Sequence, residues 1–191
     1  GDVYKRQELQ QLKKQINPHF LFNMLNNANI LVKDAPDEAS QILEKLDNLL
    51  RYQLNDSTRR EVFLTADIQF LTSFLELEKV RRDHFEYTIF QEGNMENICI
   101  PPLLFIPFVE NAVKHNLDSD NLSYVHLYFS VHNKQLTFRC ENSKPRVPVK
   151  REGGIGLANV KRRLDLLYES RYTLQIEDKE TTYNVNLHLN L

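Results

Sequence analysis

The chain has 191 residues, 41% of them hydrophobic and 26% charged, with a formal net charge of −2. That length holds one large domain or two small ones, and the balance of residues is that of an ordinary globular protein. There is no Lys/Arg-rich block, so nucleic acid is not an expected partner. Cys99 and Cys140 stand far apart and outside any CxxC pattern. That excludes a zinc site or disulfide framework legible from spacing, and it points to a reducing, cytoplasmic compartment. No apolar run approaches the roughly 20 residues that span a bilayer, and no signal peptide is visible. Gly1 to Gln7 read as the cut end of something longer. Any membrane attachment is therefore expected only through a missing upstream region.

From about Glu8 to Val32 the residues Leu9, Leu12, Ile16, His19, Asn23, Asn26 and Ile30 follow steps of three and four, one helical seam. It starts apolar and turns polar at His19. Pro18 falls inside this pattern, where a proline normally kinks the helix at a cost of about 3 kcal/mol. The residue beside the expected distortion is a histidine, a nucleophile that titrates near neutrality. A second helix, about Asp37 to Leu54, repeats Ile42, Leu43, Leu46, Leu49, Leu50 and Leu54. Two helices joined by a short link form an antiparallel hairpin with little core of its own. Pairing with a second copy into a four-helix bundle would bury the seams, so a homodimer is expected.

A third helix is expected over about Thr65 to Arg82, capped by Thr65 or Asp67. Phe85 to Phe90 reads as a strand, Gly93-Asn94 as a turn and Ile98 to Ile100 as a short strand. Pro101-Pro102 ends it and opens a helix from about Leu103 to Asn116. Ser123 to Val131 alternates cleanly, His132-Asn133-Lys134 turns the chain, and Leu136, Phe138 and Cys140 continue the alternation as a hairpin. Ser143 to Gly153 is a loop, Ile155 to about Tyr168 a helix, and Arg171 to Ile176 and Thr181 to Leu191 are strands. The order predicts an α+β fold: an N-terminal helical hairpin, then a mostly antiparallel mixed sheet with helices on one face.

Two stretches besides His19 carry chemistry. On the helix through Pro107, residues Glu110, Asn111 and Lys114 share a stripe, with His115 at its edge. An acid, an amide and an ammonium on one face suit a nucleotide: the amide oxygen fits Mg²⁺ and the lysine neutralises phosphate. The plain alternative is a solvated face with an ordinary Glu–Lys pair. The second stretch is Gly153-Gly154-Ile155-Gly156-Leu157, which holds three of the five glycines ahead of a helix N-terminus. Glycines let backbone N–H groups approach an anion. No GK[ST] follows and no strand directly precedes, so this is neither a Walker loop nor a dinucleotide fingerprint. A flexible hinge is the other reading.

Taken in order and spacing, NPHFLFN at 17–23, PPLLFIPFVENAVKHN at 101–116 and GGIGLANVKRRL at 153–164 resemble the LytS-type sensor histidine kinases, over nearly the whole chain. The resemblance implies a GHKL-type ATP-binding fold in residues 63–191, after a dimerisation and phospho-acceptor region in residues 8–62. It implies that His19 is the phospho-acceptor and that Asn111 binds Mg²⁺ and ATP, with Glu110, Lys114 and His115 beside it. Gly154, Gly156 and Leu157 would close over the phosphates, with 143–153 as the ATP lid. Asn23, one turn beyond His19, would orient its ring. The implied partners are ATP, a second copy of the chain and a response regulator. The parent protein would lie in the cytoplasmic membrane.

One departure stands out. Where the family has an aspartate at a strand end and a glycine two residues on, this chain has Cys140-Glu141-Asn142-Ser143-Lys144. The alternation puts Asn142 at the aspartate position and Lys144 at the glycine. An amide accepts a hydrogen bond from the adenine amine without charge assistance. That keeps a second reading open, a dimeric interaction scaffold with a weakened or lost ATP site. A GHKL ATPase, with Glu110 placing a hydrolytic water, is a third.

Overall fold

The computed structural model describes residues 1–12, 18–147 and 156–191. In chain order the elements are α1 (Asp2–Leu12), α2 (Pro18–Leu31), α3 (Pro36–Leu54), a 3-10 turn (Asp56–Thr58), β1 (Val62–Phe63), α4 (Leu64–Arg81), β2 (Phe85–Glu92), β3 (Cys99–Ile100), α5 (Ile106–His115), β4 (Ser123–His132), β5 (Gln135–Ser143), α6 (Leu157–Tyr168), β6 (Tyr172–Asp178) and β7 (Thr182–Asn190). They fall into two compact units. A helical unit holds 15–83 and 96–104, and a sheet unit holds 1–14, 84–95 and 105–191.

In the helical unit, Pro18 is the first residue of α2. The upstream half of the expected kink lies outside the described residues. Pro36 likewise opens α3, with Asp37 and Glu38 in the first turn, where the helix dipole favours acids. Helix α2 buries Phe20, Met24 and Ala28, spaced by four, and packs on α3 and α4. The Phe20 ring lies 5.0 Å from that of Phe74 on α4. The seam expected from the sequence ran one residue round, through His19, Asn23, Asn26 and Ile30. Phe20 and Met24 carry more apolar area than those residues, and their burial sets the helix rotation.

Helix α4 starts at Leu64, with Phe63 at the N-cap and no side-chain capping bond. Neither Thr65 nor Asp67 caps it. Asp67 is 0% exposed, at the position one turn before Leu71 and two before Phe74 on the buried stripe. A polar residue four and seven ahead of apolar ones belongs to their face. Strands β1 and β3 pair antiparallel over two residues.

The sheet unit has strand order β2-β4-β5-β7-β6, with β2 parallel to β4 and every other pair antiparallel. A parallel pair needs a long crossover, and the chain supplies one through β3 and α5. Val125, Leu127 and Phe129 on β4, Leu136, Phe138 and Cys140 on β5, and Val185, Leu187 and Leu189 on β7 are all buried on one face. The intervening residues are more open, among them His126, Arg139 and His188. One face therefore carries the core and the other is solvated, as antiparallel sheets allow. The β4–β5 turn is Asn133-Lys134, with φ of 48° and 63°. Two positive φ values make the primed hairpin turn that matches strand twist.

Gly93 just after β2 has φ +89°, and a Cβ there would sit 2.2 Å from the Val131 carbonyl oxygen. Gly93→Ala meets both strain and a backbone clash. It is expected to lower stability by at least about 2 kcal/mol. Urea denaturation of the two proteins measures it, and an unchanged midpoint would contradict this account of the turn.

Candidate active site

Asn111 and its neighbours are set by the packing of α5. Phe105, Phe108, Val109, Ala112 and Val113 are buried, while Glu110, Asn111 and His115 are half-buried and Lys114 is exposed. Helix α5 packs on β4 and β5. Phe138 of β5 faces the rings of Phe105 at 4.6 Å and Phe108 at 6.0 Å. These contacts turn the polar stripe of α5 away from the core, as the sequence spacing predicted.

The C-terminal end of α5 is tied to the sheet by hydrogen bonds. Asn116 is fully buried, and its N–H donates to Ala112 at 3.1 Å. Its Nδ2–H donates to the Tyr124 carbonyl at 3.0 Å, and its own carbonyl accepts from Ser123 Oγ at 2.7 Å. The Tyr124 N–H then donates to Ser143 Oγ at 2.9 Å, at the end of β5. One hydrogen-bonded chain thus joins the end of α5, the start of β4 and the end of β5. Asn142 sits there, 1% exposed, opposite Val125 on one side and Tyr183 on the other. The Asn142 Nδ2–H donates to the Ser143 carbonyl at 2.9 Å, an orientation that makes Oδ1 the acceptor it presents.

Lys144, at the family's glycine position, donates its N–H to the Thr181 carbonyl, and its ammonium pairs with Asp178. Its charge is therefore held at the β6–β7 end. Asp118, after α5, lies below the usual carboxylate range because it accepts the Asp120 N–H at 3.0 Å, with further bonds from Asn121 and the Arg146 N–H. The bond from Arg146 ties the backbone just after β5 to the stretch just after α5. Gly154 lies outside the described residues. Gly156 is the N-cap of α6, its carbonyl accepting the Val160 N–H, and half-buried Leu157 is the first residue of that helix.

His19 and Asn23 belong to the helical unit, on α2. His19 is exposed, and Asn23 Nδ2 lies 3.3 Å from its Nδ1. So Glu110, Asn111, Lys114, His115, Asn142, Gly156 and Leu157 share the sheet unit, and His19 with Asn23 the other. Among the described residues no group of three or more His, Cys, Asp or Glu is placed to hold a metal alone. Mg²⁺ keeps most of its shell as water and phosphate, so a site with one protein amide remains chemically suitable. Sequence reasoning missed the Asn116–Ser123–Ser143 chain. Its signal was weak: three small polar residues, each at or next to an element end.

A family model described as Histidine kinase matches residues 7–85. The sensor protein LytS of Staphylococcus haemolyticus is 30% identical over 98% of this chain, which covers 35% of that protein. The sensor histidine kinase YpdA of Escherichia coli is 31% identical over 61% of this chain and 20% of its own length. The chain spans about a third of the length of the LytS relatives it matches. Among solved structures, the histidine kinase domain of a blue-light activated kinase of Erythrobacter litoralis aligns with TM-score 0.52 at 16% identity, over 99% of this chain and 93% of that one. The catalytic domain of histidine kinase ThkA aligns with TM-score 0.51 at 16% identity, over 68% and 93%. At that identity the structures speak for the fold, and among the described residues no helix is long and apolar enough to cross a membrane. Residues 7–85 match the histidine kinase family, and nearly the whole chain is similar to a segment of the LytS sensor proteins, on a fold shared with histidine kinase domains.

Proposed function

We propose that this chain is the kinase segment of a sensor protein in a two-component system. It would use ATP and Mg²⁺ to phosphorylate its own His19 and pass the group to an aspartate of a separate response regulator. The observation that carries the reading is His19 itself, exposed on α2 with Asn23 against its ring, inside the stretch matched by the family model. In the division of labour that goes with it, residues 8–62 dimerise and present the histidine, and residues 63–191 bind ATP. The parent protein would sit in the cytoplasmic membrane through a region upstream.

The chemistry follows from the ring. An Asn amide can turn either its Nδ2–H or its Oδ1 to Nδ1. With Oδ1 accepting Nδ1–H, the proton stays on Nδ1 and the Nε2 lone pair is available in the ring plane. Nε2 then attacks the γ-phosphorus in line, a P–N bond forms, and the bond to the bridging oxygen of ADP breaks. Positive charge that grows on the ring is met by Asn23 Oδ1. Lys114, exposed on α5, neutralises phosphate oxygens, and most of the rate comes from positioning and charge. When bound, Mg²⁺ supplies further charge neutralisation, and Asn111 would hold it through Oδ1. Asn142 Oδ1 would accept the adenine amine, its Nδ2–H being directed to Ser143. That bond and the Lys144–Asp178 pair favour a site still shaped for the base over the scaffold reading.

Incubation with γ-labelled ATP should give an acid-labile label on the wild type. The label should be lost in His19→Gln and reduced at least ~100-fold in Asn111→Ala. Label that persists on His19→Gln sinks the assignment, and steady phosphate release without protein label favours the ATPase reading. Calorimetry with ATP and Mg²⁺ should show Asn142→Asp binding about 3- to 10-fold tighter, since a charged acceptor roughly doubles the bond. No binding by the wild type at millimolar ATP would favour the scaffold.

The face of α2 away from its core leaves Phe22 68% and Ile30 66% exposed, with Leu25 and Val32 beside them. Apolar side chains gathered on one hairpin suit a second copy of it, as in four-helix bundles. Phe22→Asp with Ile30→Asp should convert a dimer into a monomer in sedimentation equilibrium. A wild type that sediments as a monomer at high concentration would refute the dimer.

A further inference from the structure

Asn142 is the last residue but one of β5 and almost wholly buried. Two residues earlier, Cys140 Sγ lies 3.9 Å from the Phe108 carbonyl of α5. Side chains alternate along a strand, so Asn142 shares the face that is turned to α5. Its amide has a defined orientation. The Ser143 carbonyl, 2.9 Å from Nδ2, can only accept, and this bond fixes which end of the amide is nitrogen. Oδ1 is then an acceptor at the other end. Nδ2 carries two hydrogens; Ser143 takes one, and the second is left for a ligand. One buried group thus offers a donor and an acceptor together, without charge.

That combination decides which purine the group can meet. The edge of adenine puts a donor, the N6 amine, beside an acceptor, N1. The edge of a 6-oxopurine puts an acceptor, O6, beside a donor, N1–H. An amide matches either order: Oδ1 takes the N–H, and Nδ2–H goes to the ring nitrogen or to the oxygen. A carboxylate has no donor. It takes the adenine amine but meets O6 as acceptor against acceptor, and buried groups left unpaired in this way are costly. The neighbouring cation does not alter the balance, because the Lys144 ammonium is paired with Asp178.

We propose that Asn142 is a specificity-determining residue that opens the site to 6-oxopurine nucleotides, so that GTP and ITP serve as phosphoryl donors alongside ATP. This rests on the nucleotide role proposed above, in which Asn142 meets the edge of the base. The reaction itself is unchanged. A bond forms between His19 Nε2 and the γ-phosphorus, the bond to the bridging oxygen breaks, and GDP or IDP leaves in place of ADP.

The test uses the whole chain and γ-labelled ATP, GTP and ITP. In the wild type, the KM for His19 labelling by GTP and ITP should lie within about 10-fold of that for ATP, less than a buried unpaired group would cost. Asn142→Asp should favour ATP and disfavour the other two, so that the ratio of KM for GTP to KM for ATP rises at least ~10-fold. A merely structural role for Asn142 would weaken all three nucleotides together and leave that ratio where it was. Label from ITP without label from GTP supports the O6 contact and confines the substrate to the base that lacks a 2-amino group. Should Asn142→Asp fail to fold, the wild-type comparison still decides, since it needs no variant. Wild-type KM values for both 6-oxopurines beyond that 10-fold, with ATP labelling normally, overturn the proposal and leave the kinase reading intact. An Asn142→Asp ratio equal to that of the wild type overturns it as well. No label from any of the three nucleotides defeats both.

Discussion

Phe138 touches three other phenyl rings, Phe105, Phe108 and Phe129, with centroids 4.6 to 6.0 Å away. Two of those rings come from the segment that opens α5 and one from β4. A single side chain near the middle of β5 thus joins a helix to two strands. Such aromatic groups each bury about 150–250 Å² and prefer tilted or edge-on geometry, which restricts how the helix can lie. The polar stripe of α5 faces outward because this cluster faces inward. Remove the cluster and Asn111 has no fixed relation to Asn142.

The hydrogen-bonded chain at the far end of α5 adds what aromatic packing lacks, which is direction. Packing holds a helix against a sheet but tolerates small rotations, since dispersion is weak per contact and non-directional. Asn116, buried and bonded on both sides, fixes the helix at its end. Within the helical unit, buried Asp67 accepts hydrogen bonds from the Tyr52 hydroxyl and the Leu103 N–H. Nonpolar burial supplies most of the stabilisation and a few buried polar groups supply the registry, a division common where a site needs defined geometry.

The strands were legible because alternation is a strong signal where one face is buried. Ser123 to Val131 and Thr181 to Leu191 alternate cleanly and form β4 and β7 almost to the residue. The helices were legible in extent and less so in rotation. In α2 the sequence shows two competing stripes, and only tertiary volume decides that Phe20 and Met24 go in rather than His19 and Asn23. That outcome leaves His19 outward, although the expected seam ran through it. Asp67 was misread as a cap because caps are local chemistry, and its partners Tyr52 and Leu103 are distant in sequence. The same distance hid Asn116, Ser123 and Ser143. Side chains that find partners across elements leave no periodic trace. The two-residue strands β1 and β3 are too short for alternation to register, and β1 went unread.

The ion pair between Glu8 on α1 and Arg162 on α6 has a different consequence. It is bidentate, with Nε–Oε1 at 2.7 Å and an N–O contact on the second oxygen at 3.2 Å, yet both partners are well exposed. No residue of α1 is buried. An association that leans on one solvated pair is weak and weakens further as salt screens it. Helix α1 is thus a loosely moored part beside a helix whose first turn follows the glycine stretch. Ionic strength, rather than temperature or denaturant, is the variable to which that mooring should answer first.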